Sequence, residues 1–200
     1  MSVFNETTIN YYKNDFINTK ITHIEFCDFL IRHNAFRKNK VVCDIACGSG
    51  SGTYYYAKKN INTKFIGIDY NKDLINWSQD YISTLQVNNL HLEFGDWYNL
   101  NKEYKMKFDG IFSIHSLCTL KNINDAIDPL VELNPNWIAF NSLFYEGPLD
   151  VLIHIRDHSR PEIKDEDPDS DFNIFSLDKL KQYFSLKGYS DFYFQKFNMP

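Results

Sequence analysis

Short runs of consecutive apolar residues alternate along the chain with longer segments whose apolar residues recur at helical spacing. The runs read "KVVCDIA", "KFIGIDY", "LHLEF", "FDGIFSIHSL", "NWIAFNSLF" and "DFYFQKF". Strands that are apolar at consecutive positions are typical of a parallel sheet covered on both faces, and strand–helix alternation indicates crossover connections. The pattern predicts an α/β fold: a doubly wound, mostly parallel sheet with helices on both faces.

Polar residues mark where three of the intervening helices begin. Asn71 or Asp73 can cap "KDLINWSQDYISTL", and Asn122 or Asn124 can cap "DAIDPLVEL". Ser176 is in position to open the last helix. Before the first strand, residues 1–36 read as one or two amphipathic helices, either covering the ligand-bearing edge of the sheet or packing structurally against it.

Composition narrows the class of protein. Two hundred residues, 44% of them hydrophobic, can bury one sizeable core and predict a single domain. A net charge of -5 gives no basic surface, so we do not expect a nucleic-acid partner. The N-terminus lacks the pattern of a signal peptide and no apolar run is long enough to span a bilayer, so we expect no membrane association and a cytoplasmic location.

Four cysteines lie in or beside apolar segments, at Cys27, Cys43, Cys47 and Cys118. They lack a second ligand pair at zinc spacing. We therefore expect buried free thiols and no metal site.

The segment "VVCDIACGSGSGT" is the strongest local signal, because a strand runs directly into a glycine-rich turn. Such a turn brings backbone N–H groups close to a ligand at the carboxyl edge of the sheet. A phosphate-binding P-loop would need a Gly-Lys pair, which this sequence lacks. In the dinucleotide fingerprint G-x-G-x-x-G, the third glycine would fall on Thr53. Both phosphate-binding interpretations are weakened.

Asp44 followed by "IACGSGSG" resembles motif I of the class I S-adenosylmethionine-dependent methyltransferases, an acidic residue, an apolar residue and then G-x-G-x-G. Ala46 stands in the first glycine place, with Gly48 and Gly50 in the other two. The resemblance implies a Rossmann-like methyltransferase fold with S-adenosylmethionine (SAM) as cofactor. It also implies that the turn, including Cys47, lies against the methionine part and the ribose. For Asp44, a strand-end cap that holds the turn is the alternative to direct contact with the cofactor amine.

Later segments extend the resemblance in the same order. Asp69, followed by Tyr70, ends the second strand at the place of the ribose-binding carboxylate, which NAD-type sites share. Asp96 and Trp97 resemble the adenine site, although Trp97 could instead be a core side chain. Ser113 to Ser116, at the end of the fourth strand, resemble the segment beneath the transferred methyl group.

Upstream, "INYYKNDF" resembles the N-terminal helix that closes over the cofactor in many members acting on small molecules. The resemblance implies that Tyr11 or Tyr12 reaches the carboxylate or sulfonium end of the cofactor. An aromatic face attracts a cationic sulfur. An aromatic pair that packs the helix onto the sheet is the alternative.

Methyl transfer requires an aligned acceptor, and an oxygen acceptor also benefits from a general base. His115 ends the fourth strand, so we expect it to act as a base or to orient the acceptor, a buried structural histidine being the alternative. Further along, His154, Arg156 and His158 form a polar cluster that could hold an anionic acceptor. His154 and His158 would also suit a helical metal site, which we do not expect.

The resemblance divides the single domain, residues 1–200, into four parts. These are a helical cap (1–36), a cofactor-binding core (37–142), an acceptor-side insertion (143–175), and a last helix and strand (176–200). In the family a seventh strand inserts beside the fifth, but this sequence stops as the sixth, "DFYFQKF", finishes. We expect either a truncated chain or an absent hairpin, leaving a sheet edge that favours self-association, for example as a homodimer.

The sequence therefore predicts an enzyme that transfers a methyl group from SAM to a small-molecule acceptor at oxygen or nitrogen. Two alternatives stay open at this point. One is an NAD(P)-linked oxidoreductase, and the other is a catalytically silent module that binds a cofactor or a partner.

Overall fold

The computed structural model describes residues 6–37, 40–100, 104–156 and 170–197. Within these ranges the helices are α1 (Glu6–Ile17), α2 (Ile21–Arg32), α3 (Ser51–Lys59), α4 (Lys72–Ser83), α5 (Ile123–Glu132) and α6 (Leu177–Leu186). The strands are β1 (Val41–Ile45), β2 (Lys64–Asp69), β3 (Leu90–Phe94), β4 (Gly110–Ile114), β5 (Trp137–Asn141), β6 (Phe144–Tyr145), β7 (His154–Ile155), β8 (Ser170–Asp171) and β9 (Phe175–Ser176).

The central sheet has the strand order β3-β2-β1-β4-β5, and all of its strands are parallel. Parallel register places Asp44 beside Phe112 and Asp69 beside Phe94, so the carboxyl ends of β1 to β4 meet at one edge. Ligands of open α/β sheets bind at this edge, beside the strand where the order reverses. The predicted α/β architecture is confirmed.

Helices cover both faces of the sheet. On one face, Phe26 and Leu30 of α2 and Tyr56 of α3 pack with Val42 and Phe112. On the other face, α5 packs over β1 and β4, and Phe184 of α6 packs against α5. Burying the strands from both sides explains their runs of consecutive apolar residues.

The predicted helix starts form as side-chain caps. The Asn71 side chain accepts a hydrogen bond from Leu74 N–H at the start of α4, and Asn122 accepts from Asn124 N–H at the start of α5. Ser176 accepts from Lys179 N–H at the start of α6. Each cap satisfies a backbone donor that the first helical turn leaves unpaired.

The prediction of a sixth strand over "DFYFQKF" is wrong, because residues 189–197 have no regular secondary structure. A strand requires a neighbour that pairs with its backbone, and no backbone hydrogen bond joins this segment to β5 within the described residues. Its side chains bind elsewhere: the Tyr193 ring contacts His33, and Lys181 lies over Phe194. β5 is therefore an edge strand of the described sheet, and self-association through this edge stays a prediction.

The insertion after β5 forms two small two-stranded sheets that the hydrophobic pattern did not predict. β6 pairs in parallel with β9, and β7 pairs antiparallel with β8. Asn173 ties this region to the turn after β4, since its N–H donates to Cys118 O at 2.6 Å. None of the helices in the described ranges is both long enough and apolar enough to cross a bilayer.

Candidate active site

The glycine turn joins β1 to α3 through three residues in left-handed conformation: Ala46 (φ 58°), Gly48 (φ 59°) and Gly50 (φ 74°). Glycine adopts this conformation freely, whereas for alanine it costs about 1–2 kcal/mol. Gly50 is also needed for space, because a Cβ there would lie 2.8 Å from the Leu92 side chain. The turn therefore combines backbone conformations and close packing that few sequences can adopt.

Asp69 ties this turn to the end of β2. Its Oδ2 accepts a hydrogen bond from Gly48 N–H at 2.8 Å, and its Oδ1 accepts from Asn71 N–H at 2.9 Å. The residue is only 6% exposed. Each carboxylate oxygen has further acceptor capacity, which is the chemistry needed to bind the two hydroxyls of a ribose.

A cavity of about 620 Å³ opens at the carboxyl ends of the strands beside this turn. Its lining consists of Ile45, Ala46, Gly48, Asp69, Tyr70, Gly95, Asp96, Trp97, Tyr98, Ser116, Thr119 and Leu120. The volume is in the range of small-molecule and cofactor sites. Asp69 and Asp96 are the charged members of this lining, which contains no lysine, arginine or histidine. The cavity therefore suits a neutral or cationic ligand better than a polyanion.

Six of the predicted cofactor residues line the cavity: Ala46, Gly48, Asp69, Tyr70, Asp96 and Trp97. Ser116, at the end of the segment predicted to lie beneath the transferred methyl group, also lines the cavity, whereas the contribution of Thr119 was not predicted. They belong to a 3₁₀ turn, Leu117–Thr119, and the residue that caps it. Such a short turn has no hydrophobic period, although its place after β4 at the ligand edge was a usable signal.

Asp96 and Trp97 form the wall opposite the glycine turn. Asp96 accepts from Tyr98 N–H at 3.1 Å and from Asn99 Nδ2 at 2.7 Å. Trp97 is buried, stacks on Phe140 and donates Nε1–H to Ala126 O at 2.6 Å. Trp97 is therefore a core residue and also part of the cavity wall.

Asp44 lies below the turn, 4% exposed, and accepts a hydrogen bond from Thr53 Oγ1 at 2.5 Å. The pKa of Asp44 is raised to about 7: burial raises it most, the Thr53 hydrogen bond partly opposes this rise, and the nearby charge of Asp69 adds to it. Because Thr53 belongs to α3, Asp44 holds the start of that helix to β1, as the strand-end alternative predicted. Contact with a cofactor amine stays a prediction.

The cavity lining does not include the other six predicted cofactor residues, which are Tyr11, Tyr12, Asp44, Gly50, Cys47 and Ser113. Cys47 Sγ packs below the turn, where it would lie 2.9 Å from a Cβ on Gly67. Burial raises the pKa of the Cys47 thiol well above its ordinary value, so the thiol stays protonated. Ser113 is 1% exposed, and its Oγ has no hydrogen-bond partner within the described residues. Contact of either residue with a cofactor stays a prediction.

The two predicted tyrosines of α1 have different surroundings. Tyr11 is 54% exposed and accepts a hydrogen bond from Lys20 Nζ at 3.2 Å. Tyr12 packs on Trp77, and burial, Tyr11 and the nearby charge of Asp69 raise its pKa. Of the two tyrosines, Tyr12 is the one whose pKa is raised by the charge of Asp69, and contact of either tyrosine with a cofactor stays a prediction.

His115 directly follows β4 in left-handed conformation (φ 61°), and its N–H donates to Asn141 O at 2.8 Å. Desolvation and the positive charge of Lys20 lower the pKa of His115 below its ordinary value. The imidazole is then neutral at pH 7 and can accept a proton. Lys20 is itself held by Asp15, with Nζ and Oδ2 3.0 Å apart.

A second histidine, His23, was not predicted at this site. Its ring lies against α3, where Nδ1 would be 1.9 Å from a Cβ on Gly52. Burial, followed by the charges of His115 and Lys20, lowers the pKa of His23 to about 4. His23 precedes the buried Phe26 by three residues, so its place on the apolar face of α2 was readable from helical spacing.

The predicted acceptor residues lie on and beyond the small β7–β8 sheet. His154 is largely exposed and pairs through Nδ1 with the buried Asp171 Oδ1 at 2.5 Å. Arg156 is exposed one residue beyond β7, and His158 lies outside the described residues. Within the described ranges no three histidine, cysteine or acidic side chains cluster as a metal site would require.

A family model described as a methyltransferase domain matches residues 36–186, and the chain therefore belongs to this family of methyltransferase domains. The resemblance seen in the glycine turn is confirmed at the level of family and fold. A search of curated proteins found no significant match to the sequence.

Solved structures with this fold support the assignment. The YcgJ protein from Bacillus subtilis has 17% identity and a TM-score of 0.55, over 80% of this chain and 66% of its own. A SAM-dependent methyltransferase from Aquifex aeolicus has 14% identity and a TM-score of 0.56, over 92% of this chain and 88% of its own. Coclaurine N-methyltransferase, bound to N-methylheliamine and S-adenosylhomocysteine, has 16% identity and a TM-score of 0.55, over 83% of this chain and 48% of its own. The chain thus spans about two thirds of the first protein and about half of the third.

Proposed function

We propose that the protein is a SAM-dependent methyltransferase that methylates a small molecule at oxygen or nitrogen. The observation that carries the proposal is the cavity beside the glycine turn, whose charged lining side chains are Asp69 and Asp96. Its acidic lining suits a sulfonium cofactor of net positive charge and disfavours the pyrophosphate of a dinucleotide. The Gly48 N–H, a donor that could face a phosphate, is instead bonded to Asp69.

The residues around the cavity fit the parts of this cofactor. Asp69 is available to accept hydrogen bonds from the ribose hydroxyls. Asp96 can accept from the adenine amine, with Trp97 beside the ring. Asp44 and Tyr12 approach from the side of the turn and of α1, where the methionine end would lie. When bound, the cofactor supplies an activated methyl group on a positively charged sulfur.

His115 is the residue that we propose acts on the methyl acceptor. Its neutral imidazole can take the proton that an acceptor O–H or N–H loses as the new bond to carbon forms. The charge of Lys20 lowers the pKa of His115, and the charge of His115 in turn lowers the pKa of His23, so the three side chains lie near one another. The acceptor would therefore bind between the α1–α2 connection and the end of β4. We further propose that residues 143–175 are an acceptor-side insertion, and that His154, Arg156 and His158 contribute to binding an anionic acceptor.

The NAD(P)-linked alternative is disfavoured by the same turn, because the third fingerprint position is Thr53 rather than glycine. The silent-module alternative differs from an enzyme in one respect only, the transfer itself. Transfer of a radiolabelled methyl group from SAM to any small acceptor would exclude it.

Calorimetric titration of the full chain with SAM, S-adenosylhomocysteine and NADH tests the proposal. We expect the two sulfur ligands to bind and NADH to show no saturable binding. Binding of NADH alone, or of none of the three, would overturn the proposed cofactor.

A further inference from the structure

Thr53 makes an unusual hydrogen bond for a residue in the first turn of a helix. A threonine inside a helix commonly bonds back to a carbonyl of the preceding turn. Thr53 instead donates across to Asp44 Oδ2 on β1, at 2.5 Å, and both residues are buried, at 0% and 4% exposure. It occupies the place where a dinucleotide fingerprint has a glycine. The Thr53 hydroxyl therefore donates a hydrogen bond to Asp44 that a glycine at this position could not make.

The Asp44 carboxylate is only half satisfied by this bond. Its Oδ1 has no hydrogen-bond donor within the described part of the chain. The ionisable groups that act on it or feel its charge are Cys43 on β1, Cys47 in the turn, Asp69 on β2 and Tyr56 on α3. None of these is a cation. A buried carboxylate in such surroundings favours a positively charged hydrogen-bond donor.

We infer that Thr53 is a positioning residue for cofactor binding, holding the Asp44 carboxylate so that Oδ1 receives the ammonium group at the methionine end of the cofactor. The inference rests on the proposed function and adds to it a residue that neither lines the cavity nor belongs to the glycine motif. Thr53 would act only through Asp44, since its own hydroxyl proton is already committed.

The pH dependence of SAM affinity reports the pKa of Asp44. A purely structural role of Thr53 would leave this pH dependence unchanged. Burial and Asp69 raise the pKa of Asp44 to about 7, and the Thr53 hydrogen bond opposes this rise. An ammonium group binds the ionised carboxylate, so affinity for SAM should rise with pH as Asp44 ionises and fall again as the ammonium group of the cofactor, whose ordinary pKa is about 7.7–8.0, loses its proton. Loss of the hydroxyl raises the pKa further and moves the increase to higher pH.

The test is calorimetric titration with SAM between about pH 6 and 9 for the wild type, Thr53→Val and Thr53→Ser. Valine keeps the shape without the hydroxyl, whereas serine keeps the hydroxyl. We expect Thr53→Val to shift the midpoint of the rise upward, toward the pH at which the ammonium group titrates, and to weaken binding at pH 7 by about five- to tenfold. Thr53→Ser should restore both values to those of the wild type.

Two controls isolate the role of Thr53. Thr63→Val removes another buried threonine hydroxyl, which donates to Arg37 O at 3.0 Å far from the cavity, and should leave the midpoint unchanged. 5′-Methylthioadenosine lacks the ammonium group, so its affinity should not follow the pH dependence of SAM. A wild-type midpoint in Thr53→Val, or equal pH dependence for both ligands, would overturn the inference.

Asp44→Asn keeps the inference testable if Thr53→Val does not fold. We expect weaker SAM binding that no longer rises between about pH 6 and 7, and persistence of that rise in Asp44→Asn would overturn the inference. Failure of the wild type to bind SAM at any pH would refute the proposed function instead. The two failures are therefore distinguishable.

Discussion

The Asp69 carboxylate accepts a hydrogen bond from Gly48 N–H at 2.8 Å and so joins the end of β2 to the middle of the glycine turn. These residues are 21 positions apart in the sequence. Parallel pairing of β1 with β2 brings both to the same edge of the sheet. One carboxylate thereby shapes the turn and also faces the cavity.

Asp69→Ala should weaken SAM binding by about tenfold to a hundredfold, because it removes hydrogen bonds to a charged acceptor worth about 1.5–3 kcal/mol each. Titration calorimetry measures the loss. Asp73→Ala is the matched control, since Asp73 is an exposed carboxylate in the first turn of α4. Equal effects of the two substitutions would show that Asp69 has no special contact with the ligand.

His115→Ala should lower kcat by about 10²–10⁴-fold, the usual contribution of a general base, with little change in SAM affinity. Because desolvation and Lys20 lower its pKa, His115 is already neutral at pH 7, and the rate should reach its plateau at or below neutral pH. Single-turnover assays with an identified acceptor measure the chemical step. An unchanged rate would assign His115 a structural role.

Lys20→Met should move the rising limb of that pH–rate profile to higher pH, because the substitution removes a positive charge that lowers the pKa of His115. The limb reports the neutral fraction of the imidazole. Asp15→Asn serves as control, since it breaks the same ion pair but leaves the lysine charge in place. A profile that moves equally in both variants would indicate displacement of α1 rather than loss of charge.

Much of the fold could be predicted from the sequence, because strands that are buried on both faces consist of consecutive apolar residues. All five strands of the central sheet were predicted, and the caps Asn71, Asn122 and Ser176 mark their helices. The segment "DFYFQKF" shows the limit. Its composition favours a strand, but pairing depends on a neighbouring strand, and no local pattern shows whether one is within reach.

The part of the candidate site that consists of residues at the carboxyl ends of strands could be predicted from the sequence. Asp69 and Asp96 follow apolar runs, and parallel strands must bring such residues to one edge. His23 and Thr53 were not assigned to the site, because their positions depend on how α2 and α3 pack against β1 and β4. Helix packing is a tertiary property, and a single sequence records it only as an apolar face.

The stability of the ligand-free protein should depend on pH through Asp44. Its folded pKa of about 7 lies above its ordinary value of 3.8, so its stabilising contribution is full below about pH 4 and is lost as the pH rises through 7. His23 acts in the opposite sense, because its pKa is lowered to about 4 and stability is lost as the pH falls from 6.5. The free energy of unfolding of the wild type therefore depends on pH through two contributions of opposite sign, one from Asp44 and one from His23.

Comparing the free energy of unfolding of Asp44→Asn with that of the wild type separates the contribution of Asp44 from that of His23. The free energy of unfolding of the variant minus that of the wild type should grow between about pH 4 and 7, by at most about 1.4 kcal/mol per pH unit, and then level off. Urea unfolding at several pH values measures the difference. A constant difference across this range would mean that Asp44 titrates near its ordinary pKa.

Gly52→Ala should destabilise the protein by about 1–3 kcal/mol, although alanine normally stabilises a helix by about 1 kcal/mol relative to glycine. The cause is His23, since a Cβ at position 52 would lie 1.9 Å from its Nδ1 and 2.3 Å from its Cε1. The ring lies against α3 and contacts Tyr56 of that helix, so we expect its displacement to disturb the packing of α2 on α3. Thermal or urea unfolding of the ligand-free protein measures the loss.

The same substitution in a His23→Ala background tests whether that contact is the cause. With the imidazole gone, Gly52→Ala should become neutral or stabilising, because only its helix propensity remains. The double-mutant cycle would then give a coupling free energy of about 1–3 kcal/mol between the two positions. Destabilisation of equal size in both backgrounds would place the cause in the backbone of α3, and the assigned packing of α2 on α3 at His23 would be wrong.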